Sequence, residues 1–251
     1  MFDSLIQFLG LGDAAVLLAL EPPGWGGNLL RGLVNSIQIA LGAFALGLLI
    51  GTGGALGKLY GGPVTRDLLA VYTTVVRAVP ELILILILYY AGTDLLNQLL
   101  VAMGRQPVEI SGLVAGIGVL GVVQGAYATE VLRGAILAIP KGQIEAARAF
   151  GMPQTLLFRR ITMPAMVSFA LPGMANLWLI ATKDTALLAV VGFAELTLET
   201  KQAAGSTRAY FTFYLAAGLL YLMVSLVSTA LFALLERRAR RGQPELRSGG
   251  A

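Results

Sequence analysis

Apolar residues run through the chain in five long stretches separated by shorter polar passages. The first, Asn28 to Tyr60, is nearly uncharged from Leu33 to Leu56 and exceeds the ~20 residues that cross a bilayer, which predicts a tilted helix or an interfacial end. The second, Val64 to Leu100, is interrupted at Arg77-Ala78-Val79-Pro80-Glu81, where the proline removes a backbone donor and predicts a kink. A polar loop is expected from Thr93 to Ser111, then a third span from Gly112 to about Leu132. The fourth, Ala165 to about Thr182, meets Lys183-Asp184-Thr185, after which an apolar piece to Gly192 is expected to fold back. A semi-polar connection, Glu195 to Arg208, precedes the fifth span, Ala209 to Leu235. The expected fold class is therefore all-α, a polytopic membrane protein with five transmembrane helices.

Composition agrees with that pattern. A chain that is 57% hydrophobic and 13% charged, with a mean hydropathy of +0.78, is too apolar for a soluble domain of its length. Small residues recur four apart, at Gly47 and Gly51, Gly53 and Gly57, Gly112 and Gly116, and Gly121 and Gly125, a spacing that lets membrane helices approach closely. Residues 1–27 read as an acidic, interfacial arm on the outer side, lacking the positive start of a cleavable signal. Residues 28–237 form the membrane domain and 238–251 a solvated tail.

Charge assigns the sides. Placing the connections after spans one, three and five together collects 12 of the 18 basic residues, whereas Arg31, Arg105, Lys201 and Arg208 fall opposite. The positive-inside rule then puts the third connection and the C-terminus in the cytoplasm and the N-terminus outside. The net charge of +4 reflects these connections, and no separate basic domain exists to bind nucleic acid.

Candidate chemistry is sparse. The chain has no Cys or His, so it lacks thiolate chemistry and the commonest general base and metal ligand, and no catalytic, metal or cofactor site is expected. Gly57-Lys58 fails as a nucleotide loop, because Thr52 stands where a Gly is needed and Leu59 where Ser or Thr is needed. Ionisable residues within spans are functional candidates. Arg77 and Glu81 either neutralise each other four residues apart on one helix face or meet a substrate. Gln124, Tyr127, Glu130 and Arg133 share one face of the third span, where they line a pathway or knit helices together.

The longest polar passage inside the chain, Ile139 to Pro164, reads as a helix from Gln143 to Phe150, a glycine corner at Gly151, and a second helix begun by Pro153. By itself it is equally consistent with an amphipathic helix resting on the membrane. Glu145-Ala146-Ala147, Gly151, Ile161 and Pro164, however, resemble the EAA signature of permease subunits of bacterial ATP-binding-cassette importers, with Met163 in place of the usual Leu. Arg77 to Glu81, Gly125 to Glu130, Arg133 to Ile136, Ile139 to Gln143 and Lys183 to Leu187 are similar to the polar amino-acid branch of that family.

The resemblance implies the type I importer architecture, with 134–164 as a cytoplasmic coupling loop in which Glu145, Ala146, Ala147 and Gly151 engage an ATPase. It also implies a second permease subunit, identical or paralogous, two cytoplasmic ATP-binding subunits and an extracytoplasmic solute-binding protein, all around a lipid-embedded chain with no ATPase site of its own. The carboxylate after Pro80 resembles the subunits of histidine, lysine, arginine and ornithine importers and of opine importers. It implies a cationic amino acid or opine with Glu81 near its path, and the charged residues Arg77 and Glu130 within the spans are secondary substrate-binding candidates. The alternative is an ion-coupled secondary transporter or channel in which Arg77, Glu81 and Glu130 relay ions. A membrane enzyme is disfavoured by the absence of any nucleophile–base pair.

Overall fold

The computed structural model describes residues 13–239. The N-terminal twelve residues of the expected arm and the tail from 240 onward lie outside them. A short helix α1 (Ala14–Leu17) leads into α2 (Gly26–Tyr60), α3 (Pro63–Ala78), α4 (Glu81–Ala102) and α5 (Gly112–Leu137). Then follow α6 (Lys141–Ala149), α7 (Gln154–Leu157), a π turn (Phe158–Thr162), α8 (Met163–Asp184), a 3₁₀ segment (Thr185–Val191), α9 (Leu196–Thr207) and α10 (Tyr210–Ala239). Five helical runs are long and apolar enough to cross a bilayer: Gly26–Tyr60, Glu81–Ala102, Gly112–Leu137, Gln154–Val191 and Tyr210–Ala239.

Several expected boundaries shift. The second span is two helices, and of these only α4 has the length and apolarity to cross. Extended backbone at Val79 (ψ 139°) and Pro80 (ψ 133°) separates them, as a proline and its predecessor favour. The polar loop is shorter than expected, because α4 continues through Thr93 to Ala102. Gln98 donates to Asp94 one turn earlier at 2.8 Å, so these polar residues support the helix instead of ending it. The fourth span does not fold back after Lys183: the run continues as 3₁₀ to Val191 and ends at Gly192, whose φ of 84° closes it. The Glu195 to Arg208 connection is mostly the helix α9.

The core is built on α2 against α5. Gly47, Gly51 and Gly54 of α2 lie against Gln124, Ala128 and Thr129 of α5. A Cβ on Gly51 would stand 2.5 Å from that of Ala128, so the glycine is what permits the approach. The stripe thus continues through Gly54; Gly53 faces open space and Gly57 meets Leu69 of α3. From the other strip of the same contact, Gly121 and Gly125 receive Leu46 and Ile50.

Hydrophobic clusters extend the bundle toward both ends. Leu132 and Ala135 of α5 pack with Ala170, Met174 and Leu177 of α8. At the opposite end Leu29, Leu33, Leu196 and Phe213 join α2, α9 and α10, and Leu17, Leu18 and Trp25 of the arm fold onto them. In contrast α4 buries only Leu84 and Ile85, and α10 buries four residues, so their remaining apolar faces are free to meet lipid or another subunit.

Candidate functional site

The break between α3 and α4 places Glu81 in the first turn of α4, where the helix dipole favours a carboxylate. The same break prevents Arg77 and Glu81 from sharing a helix face, and they form no ion pair. Instead the Tyr127 hydroxyl donates to Glu81 Oε1 at 3.3 Å, while the Arg77 guanidinium lies over the Tyr127 ring, 5.9 Å from its centroid. Tyr127 therefore stands between them, its hydroxyl toward the carboxylate and its ring face toward the cation.

Glu81 has a second neighbour that sequence reasoning did not place there. The carboxyl of Asp184, at the end of α8, is close enough to that of Glu81 for the two to interact. Asp184 is buried, and Gln124 Nε2 donates to its Oδ2 at 3.4 Å. Gln124 is itself only 1% exposed, and its Oε1 finds no donor among the described residues. Two neighbouring carboxyl groups beside an unanswered carbonyl form an acceptor-rich site inside an apolar bundle. Such a site is satisfied by a cation carrying several N–H groups.

Glu130 belongs to a different arrangement. Its Oε1 accepts from Lys58 Nζ at 2.5 Å, and its Oε2 accepts from Arg133 Nε and Nη2 at 3.0 and 2.9 Å. Lys58 also donates to Thr73 of α3 at 2.6 Å. Both carboxylate oxygens are thus occupied by the chain's own cations. The nearby Tyr72 hydroxyl donates to the Val122 carbonyl at 2.5 Å and fixes α3 against α5.

The residues expected to engage an ATPase lie elsewhere, on α6 and its corner. Gly151 has φ 71°, and its N–H bonds the Arg148 carbonyl while the Met152 N–H bonds that of Ala147, which is the Schellman pattern that ends a helix. Glu145 and Ala146 are exposed, whereas Ala147 is buried toward the returning segment. Phe150, at the helix end, is 91% exposed.

A family profile described as binding-protein-dependent transport system inner membrane component matches residues 53–241. The chain belongs to that family. It is 39% identical over 231 residues to the octopine transport system permease protein OccQ of Agrobacterium tumefaciens (strain Ach5), covering 92% of this chain and 98% of that one. It is 42% identical over 215 residues to the histidine/lysine/arginine/ornithine transport system permease protein HisQ of Salmonella typhimurium, covering 86% and 94%. The crystal structure of an amino acid ABC transporter with histidines superposes at a TM-score of 0.73 with 28% identity, covering 85% of this chain and 95% of that one. This chain is therefore a multi-pass inner-membrane permease subunit of an ATP-binding-cassette importer, and hydrolysis of ATP is not its own task.

Proposed function

We propose that this permease carries a cationic amino acid or an opine, and that Glu81 and Asp184 receive the solute's positive group. The observation that supports this most directly is the closeness of these two carboxyl groups beside the unanswered oxygen of Gln124. Ionised together in a low dielectric they repel, and a guanidinium or ammonium between them turns that repulsion into attraction. The names of the relatives point to the same solute class: octopine for one, and histidine, lysine, arginine and ornithine for the other. Arg77 and Glu130 stand in the adjoining pocket, along the way out.

The importer is read as a permease pair, two cytoplasmic ATPases and an extracytoplasmic solute-binding protein, with the N-terminus outside and residues 134–164 and the tail in the cytoplasm. In this reading Glu145 and Ala146 face the ATPase, Ala147 holds α6 to its own chain, and Gly151 sets the angle between them. Closure of the ATPase pair then becomes a rigid-body movement of α6 and α8. Uptake by proteoliposomes holding the full complex tests this against the ion-coupled alternative. The expected result is arginine uptake that requires ATP and the binding protein and survives dissipation of ion gradients. Uptake that persists without the ATPase and collapses with the gradients contradicts it.

A further inference from the structure

On the side of Tyr127 away from Glu81 lies a pocket of about 530 Å³ between α2, α3 and α5. Three cations line it, Lys58, Arg77 and Arg133, against the single carboxylate of Glu130. Glu130 is divided between Lys58 and Arg133, and its side chain is only 19% exposed. Arg77 is left with the face of Tyr127: among the described residues no carboxylate pairs with its guanidinium. A guanidinium presents five N–H donors in a fork that matches a carboxylate or phosphate through two parallel bonds. Arg77 is exposed and the Arg133 side chain 37% exposed, so an anion can reach this excess of positive charge.

We propose that this pocket is an oxyanion site, in which Arg77 binds a carboxylate or phosphate directly while Lys58 and Arg133, held by Glu130, supply the surrounding positive field. Two sources present such a group. One is the α-carboxylate of the transported solute, whose cationic end is placed at Glu81 across Tyr127; this source rests on the function proposed above. The other is the phosphate of a lipid headgroup, since Lys58 lies in the last turn of α2 and Arg133 just before the last turn of α5, where those helices approach the membrane surface. The second source does not depend on the nature of the solute.

The test is equilibrium binding to the permease–ATPase complex in phosphatidylglycerol-containing nanodiscs, without the solute-binding protein, so that the discrimination measured belongs to the permease. Arginine is compared with agmatine, which lacks the carboxylate, and bound phosphatidylglycerol is counted by native mass spectrometry. The wild-type complex is expected to prefer arginine by about tenfold or more, to retain the lipid, or both, as a charge-assisted contact implies. Arg77→Gln is expected to lose whichever is present and Arg77→Lys to recover part of it. Loss of the arginine preference alone identifies the solute carboxylate as the occupant, and loss of lipid alone identifies the headgroup. A wild-type complex that binds arginine and agmatine equally and retains no lipid overturns the site without any variant, as does an Arg77→Gln complex unchanged in both. Failure of the Glu81 reading shows separately, as agmatine affinity that survives Glu81→Gln.

Discussion

At Gly151 the chain turns from α6 toward α8 with φ 71°, in the left-handed region that a side chain makes costly by about 1–2 kcal/mol. No atom crowds the position, so the requirement for glycine is conformational and not steric. Gly151→Val is therefore expected to leave the spans inserted while tilting α6 and weakening its hold on the ATPase by about tenfold, a factor that strain of this size accounts for. Co-purification with the ATPase and the ratio of solute moved to ATP hydrolysed check this, and wild-type values for both would remove the role of the corner. Gly51 is the opposite case: its helix geometry is ordinary and the space is absent, with the backbone carbon of Ala128 2.9 Å from where a Cβ would stand. The two glycines are needed for different physical reasons.

At the scale of elements, α9 is held by one buried acid. Glu195 is 0% exposed, accepts the N–H groups of Thr197 and Leu198 at 2.8 Å each, and accepts the Tyr221 hydroxyl at 3.1 Å and the Ser36 hydroxyl at 3.4 Å. It thereby caps α9 and ties it to α2 and α10. Burial raises its pKa above the ordinary 4.5, and its hydrogen bonds only partly offset this. An acid so raised binds its proton more tightly folded than unfolded. Its contribution is full below about 4.5 and is lost as pH rises through the folded value. Thermal unfolding in detergent should show wild-type stability declining across that window, with Glu195→Gln flatter, and Glu195→Ala lower throughout by about 1–3 kcal/mol from the uncapped helix and unanswered donors. Parallel pH profiles for wild type and Glu195→Gln would contradict the titration.

For the molecule as a whole, the five spans were legible because apolar length alone decides what crosses a bilayer, and the break at Pro80 because a proline cannot continue the ladder. The helix α9 was not legible: its residues are polar overall and it is stabilised by Glu195, whose partner Ser36 is 159 residues away. The site was legible by half. Glu81 stood out as a charge inside a span, and Gln124 and Tyr127 as part of a polar stripe. Asp184 looked like a span boundary, because nothing local says that the end of α8 returns beside Gln124, 60 residues earlier. Glu130 looked available for the same reason, since its partner Lys58 is 72 residues distant. A charge at the end of an apolar run, as in Lys183-Asp184, was the one signal that pointed to the missing carboxylate.

In the proposed function, Glu81 at the break of the second span and Asp184 at the end of α8 together recognise the solute's cation. Uptake of labelled arginine by proteoliposomes holding the complete importer tests it most directly, comparing wild type with Glu81→Gln and Asp184→Asn, each verified to assemble with its ATPase. Each single variant should lower uptake at least tenfold, as loss of a charge-assisted contact in a desolvated site implies. Undiminished arginine uptake in both assembled variants would contradict the account.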